Sequence, residues 1–147
     1  MRAVGAARQW RLAPGCAMRK RAPAPDAACP CGSGRALATC CGRYLGGQAA
    51  PDAAALMRAR YTAYVLEQAP YLLATWHAGT RPASLDFPPT QWIGLTVKHH
   101  EQQDADHARV EFIARYKVGG RAHKLHEISR FVRENGCWLY LDGETGA

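Results

Sequence analysis

The sequence predicts an α+β fold, in which helices pack on a curved antiparallel sheet and a small cysteine-rich knuckle precedes them. Three observations predict it. Apolar residues between positions 51 and 77 recur with helical spacing. From Trp92 onward apolar and polar residues alternate, as is typical of strands. Four of the six cysteines lie between positions 29 and 41. The 147 residues are enough for one hydrophobic core.

The cysteine-rich segment has the spacing of a metal site. Cys29 and Cys31 are followed, after eight residues, by the adjacent pair Cys40 and Cys41. Four thiolates fit a tetrahedral zinc ion, and such a closed site leaves no position for a catalytic water. Disulfides and reactive thiols are the alternatives, but adjacent cysteines bridge each other only with strain. We therefore predict zinc as the cofactor, with these four cysteines as its ligands.

The positive charge lies mostly ahead of the cysteines. Of the net charge of +7, residues 1–28 supply +5 and the rest of the chain +2. We interpret residues 1–28 as a disordered basic tail, because they are rich in Ala, Arg, Pro and Gly without apolar periodicity. The tail is a transit peptide, an arm that touches RNA or lipid, or an over-extended gene start before Met18. We favour the last.

The segment after the cysteines predicts two helices. Pro51 and Asp52 form a start signal for the first helix, and Pro70 begins a shorter one that ends near His77. We expect His77 to cap this second helix. The first helix carries an apolar stripe of Met57, Tyr61, Tyr64 and Val65, and the second holds Tyr71, Leu72, Leu73 and Trp76.

Two short turns fix the register of the predicted sheet. Gly119-Gly120 and Asn135-Gly136 favour two-residue hairpin loops. Counting back from the first loop places Phe112 opposite Glu127. The residues His99 and His100 are expected in a polar loop. The face expected to be covered holds Val110, Phe112, Ala114, Tyr116, Leu125, Phe131, Trp138 and Tyr140.

Glu127 falls on this apolar face, where a carboxylate needs a partner. We favour a buried ion pair that fixes a helix to the sheet. His126 points to the opposite face, so it cannot form an acid–base dyad with Glu127. The candidate partners of Glu127 are Arg60, Arg81, His77 and the indole of Trp76. An alternative is a ligand pocket formed by Arg60, Tyr64, Trp76, Trp92 and Glu127.

The sequence carries none of the common catalytic signatures. A phosphate-binding glycine loop, a G-x-S-x-G elbow, an H-E-x-x-H sequence and a C-x-x-C pair are all absent. No apolar run approaches the roughly 18 residues that would span a bilayer, and no segment is typical of a secretory signal. We expect a non-enzymatic cytoplasmic protein without a membrane span.

The cysteine sequence also resembles a known motif. Cys29-Pro-Cys-Gly-Ser-Gly34, followed by Cys40-Cys-Gly42, is similar to the SEC-C zinc motif of the tail of the SecA translocation ATPase. We place this motif at 29–46. The remaining chain resembles the YchJ-like family of bacterial proteins, which implies a nuclear transport factor two-like (NTF2-like) cone over 50–143. The motifs that carry this resemblance are 58–64, 71–77, 81–82, 92–95, 110–112 and 126–131.

The SEC-C resemblance implies a docking or adaptor role through contact with another protein, at the ribosome or the secretion machinery. One alternative is an enzyme or small-molecule binder that uses the cone interior, with Glu127 as the key polar group. Another is RNA binding through the basic tail and the zinc knuckle. The stretch between the cysteine pairs, residues 35–39, departs from the lysine-rich and aromatic sequence of many SEC-C motifs.

Overall fold

The computed structural model describes residues 27–145, in which helices precede a four-stranded antiparallel sheet. The predicted α+β class is confirmed. The predicted basic tail and Met18 lie outside the described residues, apart from positions 27 and 28. A 3-10 turn at Leu37–Thr39 precedes helices α1 (Cys41–Leu45), α2 (Ala53–Val65) and α3 (Ala69–Ala74) and strands β1 (Gln91–Gln102), β2 (His107–Val118), β3 (Arg121–Glu134) and β4 (Cys137–Thr145).

Helix α2 begins where the sequence predicts. Asp52 has an extended backbone, and its Oδ1 accepts a hydrogen bond from the backbone N–H of Ala55 at 2.8 Å. The helix contacts α1, α3 and three of the four strands. It is therefore buried on more sides than its predicted stripe alone would require. Residues buried beyond that stripe include Ala53, Leu56, Ala59 and Arg60.

Replacing Asp52 with alanine is expected to lower the free energy of unfolding by about 1 kcal/mol, because the first turn of α2 loses its side-chain acceptor. Urea denaturation measures this loss. Asp52→Asn keeps an acceptor oxygen at the same place and serves as the control. Equal destabilisation by both substitutions would contradict a capping role.

Helix α3 carries Pro70 in its first turn, as predicted, but it ends at Ala74. Trp76 therefore lies outside the helix, and the expectation that His77 caps it is wrong. The backbone N–H of His77 donates to the carbonyl of Tyr140 at 2.8 Å, and Nε2 of His77 lies 2.9 Å from Oε2 of Glu134. The chain leaves α3 to cover the edge of β4, where unpaired backbone groups are otherwise exposed.

The strand register agrees with the prediction from the two turns. Val118 pairs with Arg121, and Phe112 pairs with Glu127. Strand β1 extends to Gln102, which pairs with Ala108. The expectation that His99 and His100 lie in a polar loop is therefore wrong, because both belong to this long strand.

The predicted inner face of the sheet packs against the helices. Val110, Phe112, Phe131 and Trp138 are each at most 4% exposed. Buried residues of the cysteine-rich knuckle, of α2 and of the sheet form one continuous apolar core. Among the described residues, no helix is both long and apolar enough to cross a bilayer.

Candidate functional site

The four cysteines predicted as metal ligands come together at one point. Their Sγ atoms all lie within 4.8 Å of one another, and the sulfurs of Cys31 and Cys40 are 3.6 Å apart. A tetrahedral zinc ion with bonds of about 2.3 Å places its sulfurs about 3.8 Å apart. All four are buried, and none of them forms a disulfide. The donor set therefore fits a tetrahedral metal ion.

Local backbone structure brings the two cysteine pairs together. The first pair lies on a tight turn, closed by a hydrogen bond from the N–H of Cys29 to the carbonyl of Arg35 at 2.9 Å. Gly32 and Gly34 have φ angles of 81° and 84°, which glycine adopts without strain. The second pair lies where the 3-10 turn passes into α1. Two short, folded segments thus direct four sulfurs inward.

Without a cation the cluster holds one negative charge more readily than several. Hydrogen bonds from the thiols of Cys31 and Cys41 lower the pKa of Cys29. The same hydrogen bonds to Cys29 raise the pKa values of Cys31 and Cys41. A bound divalent cation offsets the repulsion among thiolates and so favours deprotonation of all four. The electrostatics agree with a metal centre.

Helix α2 anchors the cysteine turns to the cone. The Sγ of Cys29 lies 3.7 Å from Oγ1 of Thr62. Nη1 of Arg58 donates to the carbonyl of Cys31 at 3.2 Å. Sequence reasoning did not find these two contacts, because Arg58 and Thr62 are about 30 residues from the cysteines. Their position one helical turn apart on α2 is the only signal that the sequence offers.

Gly42, next to Cys41, is expected to tolerate no side chain. A Cβ at this position would lie 2.5 Å from the backbone carbonyl oxygen of Leu37, so Gly42→Ala must push α1 away from the 3-10 turn and separate the sulfurs. We expect metal affinity to fall by at least about 10-fold, as it does when groups that orient metal ligands are altered. Competition with a chromogenic chelator measures it. Gly94→Ala, which meets no atom within 4 Å, is the control and should bind metal normally.

The cone contains a second candidate site. Four of the five predicted pocket residues line one cavity of about 260 Å³: Arg60, Tyr64, Trp92 and Glu127. Trp76 is absent from the lining of this cavity, so that part of the prediction is wrong. Its ring instead packs edge-on against Tyr140 and under the Arg60 guanidinium. The rest of the lining is Met57, Tyr61, Phe112, Ala114, Leu125, Ser129 and Tyr140.

Arg60 is held by neutral groups. Its side chain is buried, and Nη1 donates to the carbonyl of Leu72 and to Oγ1 of Thr75, both at 2.8 Å. The guanidinium carbon lies 4.9 Å from the ring centre of Trp76 and 4.6 Å from that of Tyr140. Burial lowers the pKa of Arg60, while the aromatic faces and acceptors stabilise the cation.

Glu127 is half-buried and does not pair with Arg60. Oε2 of Glu127 accepts hydrogen bonds from Oγ of Ser129 at 2.7 Å and from the hydroxyl of Tyr140 at 3.2 Å. The predicted ion pair between helix and sheet is therefore wrong, and none of Arg60, Arg81, His77 and Trp76 bonds directly to this carboxylate among the described residues. Ser129 follows Glu127 by two positions on the same strand face, and this spacing is the sequence signal that could have predicted their hydrogen bond.

Burial also raises the pKa of Tyr140, and the charge of Glu127 raises it further. The Tyr140 hydroxyl therefore stays protonated and remains a donor to Glu127. His126 forms its own close contact on the other face of the sheet, with Oε2 of Glu111 at 2.6 Å. His126 and Glu127 therefore lie on opposite faces of the sheet, as the register predicts.

Comparisons with known proteins give two matches along the chain. The family described as "YchJ, middle NTF2-like domain" matches residues 52–143, and the SEC-C motif matches residues 27–43. The chain is 56% identical over 137 residues to UPF0225 protein RSc0270 of Ralstonia nicotianae, covering 84% of this chain and 94% of that protein. It is 60% identical over 132 residues to a UPF0225 protein of Cupriavidus metallidurans, covering 84% and 93%.

Two solved structures share this fold. The solution structure of a SEC-C motif containing protein from Rhodopseudomonas palustris is 32% identical, with a TM-score of 0.73, and covers 81% of this chain and 98% of that one. The crystal structure of a SEC-C motif containing protein from Psychrobacter arcticus is 28% identical, with a TM-score of 0.68, and covers 84% and 85%.

Proposed function

The chain belongs to the YchJ-like family and carries a SEC-C motif, and we propose that it is a zinc-binding docking or adaptor protein. The observation that carries the proposal is the cluster of four buried cysteine sulfurs within 4.8 Å of one another. Soft thiolate ligands in tetrahedral geometry select zinc over the hard cations Mg²⁺ and Ca²⁺. Four protein ligands complete the coordination of zinc, so the metal has a structural role.

The docking surface that we propose is the outer loop of the zinc knuckle, residues 32–35, here called the knuckle loop. All four of its residues are exposed, whereas Cys29 and Cys31 beside it are buried. The metal would hold this loop in one conformation, which lowers the entropic cost of binding a partner. The partner is another protein, at the ribosome or the secretion machinery.

Metal analysis of the purified protein tests the zinc assignment. One zinc ion per chain is expected by plasma mass spectrometry, and Cys40→Ser should lose most of it because three thiolates bind zinc more weakly. Ala38→Ser introduces a hydroxyl at a nearby exposed position and should keep one zinc. A stoichiometry near zero in the unmodified protein would overturn the zinc assignment.

Charge reversal in the knuckle loop tests the docking role. Arg35 is exposed and forms no ion pair with any of the described residues, so Arg35→Glu should keep zinc and fold. We expect it to weaken co-sedimentation with ribosomes, or binding to membrane vesicles that carry the secretion machinery. Arg121→Glu, exposed at the β2–β3 turn, is the matched control. Equal binding by the two variants would overturn the proposal. Loss of binding after nuclease treatment would also overturn it, because the partner would then be RNA and not a protein.

A second candidate function is small-molecule binding in the cone. It is favoured by one observation, a cavity of about 260 Å³ in which an aromatic wall and the Glu127 carboxylate occur together. Such a combination is typical of ligand sites. Within the described part of the chain, Glu127 has hydroxyl partners and no basic hydrogen-bond partner that would shuttle a proton. Binding is therefore better supported than catalysis.

A further inference from the structure

We propose that the cone cavity binds a compact organic amine, with its ammonium group at Glu127 and its apolar body against the aromatic wall. This inference rests on the second candidate function above and is independent of the docking role. Three properties of the cavity determine the chemical class of the ligand: the charge that a ligand can reach, the nature of the walls and the size.

The charge within reach of a ligand is negative. Among the described residues, both hydrogen bonds to Glu127 end on Oε2, and none ends on Oε1. A carboxylate has about four acceptor positions, so Oε1 is available to a donor from a ligand. None of the ion pairs among the described residues involves Glu127. Arg60 acts on this carboxylate only through space, so the ammonium group of a ligand would supply the first cation in direct contact with it.

Arg60 lines the same cavity but is a poor partner for an anion. It is only 3% exposed, whereas Glu127 is half-buried. Its Nη1 is committed to two acceptors, and its guanidinium is covered by two aromatic rings. An anionic ligand would have to displace these contacts. The cavity therefore favours a cation at Glu127 over an anion at Arg60.

The walls suit a cation that carries an apolar body. Trp92 lies 5.6 Å from Tyr61 and 6.3 Å from Tyr64 between ring centres, so three aromatic rings meet at one side of the cavity. Aromatic faces attract ammonium groups, and more strongly where water is excluded. The remaining wall is mostly aliphatic or aromatic: Met57, Phe112, Ala114 and Leu125.

The size limits the ligand to about one ring. A cavity of about 150 Å³ holds benzene, and drug-sized ligands occupy roughly 300 Å³ or more. The volume of about 260 Å³ lies between these values. A single ring with a short aminoalkyl group fits this space.

The position of the carboxylate depends on Gly143. A Cβ at Gly143 would overlap the Glu127 carboxylate, lying 2.6 Å from its carbon atom. Gly143 pairs with Ser129 across the β3–β4 ladder, so the carboxylate lies over the backbone of β4. Gly143→Ala would therefore move the charge without removing it.

Three probes that share a ring test the ligand class: benzylamine, benzyl alcohol and benzoate. We expect benzylamine to bind at least about 10-fold more tightly than benzyl alcohol, and benzoate to bind most weakly, because a charged hydrogen bond strengthens binding. NMR titration, with the Trp92 indole signal as a marker of the cavity, measures the three affinities. The full-length zinc-loaded protein is used.

Two variants assign the effect to Glu127. Glu127→Gln should weaken benzylamine binding about 10-fold and leave the affinity for benzyl alcohol within about 2-fold. Glu134 is an exposed carboxylate, and Glu134→Gln should change neither affinity. If Glu127→Gln does not fold, Gly143→Ala, which displaces the carboxylate but keeps its charge, should also weaken benzylamine binding. The order of the probes on the unmodified protein decides independently of both variants.

Benzoate binding more tightly than benzylamine, or equal affinities for all three probes, would overturn the inference while leaving the cavity a ligand site. Failure of every probe to shift the Trp92 signal would overturn the cavity-binding function itself. The docking role stands apart, since Arg35→Glu should bind benzylamine like the unmodified protein.

Discussion

Cys31→Ser is expected to lower the free energy of unfolding by at least about 3 kcal/mol, because the binding free energy of a structural zinc ion is part of the folding free energy. Cys31 is fully buried and its sulfur lies 3.6 Å from that of Cys40. A serine hydroxyl would be a poor zinc ligand and an uncompensated polar group in the core. Guanidinium denaturation of the zinc-loaded proteins measures the change, and Ala38→Ser is again the control.

The same substitution should disturb the cone as well as the knuckle. Cys29 contacts Thr62, Arg58 contacts the carbonyl of Cys31, and the cysteines share one core with α2. The rate of amide hydrogen exchange in Cys31→Ser is therefore expected to rise in α2 as well as in residues 29–46. Faster exchange confined to residues 29–46, with an unchanged unfolding midpoint for the cone, would contradict this coupling.

Arg60→Ala is expected to cost roughly 3 kcal/mol of stability, since it leaves a cavity and removes the donor to two buried acceptors. The carbonyl of Leu72 and Oγ1 of Thr75 lose a hydrogen bond from Nη1, and Trp76 and Tyr140 lose the cation between their rings. Thermal and urea unfolding measure the loss.

Arg60→Lys separates charge from shape. A lysine keeps the cation but has no planar group to lie against two rings, so we expect it to recover only part of the stability. Arg109→Ala removes an exposed arginine that is paired with Glu101 and should change stability by less than about 1 kcal/mol. Similar losses for Arg60→Ala and Arg109→Ala would mean that Arg60 does not join α2 to the β4 side of the cone.

The register of the sheet could be predicted because it depends on local chemistry. Gly119-Gly120 and Asn135-Gly136 favour two-residue turns, and side chains alternate along strands, so each turn determines the pairs that follow until a bulge intervenes. One bulge shifts the β3–β4 register between Arg130 and Phe131. The pair Phe112 with Glu127 followed from counting alone. The end of β1 could not be predicted in this way, because its pairing with β2 past His100 is not set by a two-residue turn.

The partners of buried polar groups were harder to predict from the sequence. Arg60 and Glu127 were both placed at the cone interior, but their pairing with each other was wrong. Each side chain instead reaches neutral groups, Leu72 and Thr75 for the arginine and Ser129 and Tyr140 for the carboxylate. These choices depend on distances between α2, α3 and the sheet that no local pattern encodes.

The α+β class, the start of α2, the strand pairing next to the two hairpin turns and the four clustered cysteines could be predicted from the sequence, because turn chemistry, capping and side-chain periodicity act over a few residues. Three features were visible only in the folded protein: the cysteine knuckle and the cone share a core, Trp76 lies behind Arg60, and Glu127 retains an oxygen without a described donor. Contacts between distant segments depend on how the helices pack on the sheet, and packing sums many weak contacts that the order of residues does not specify one by one.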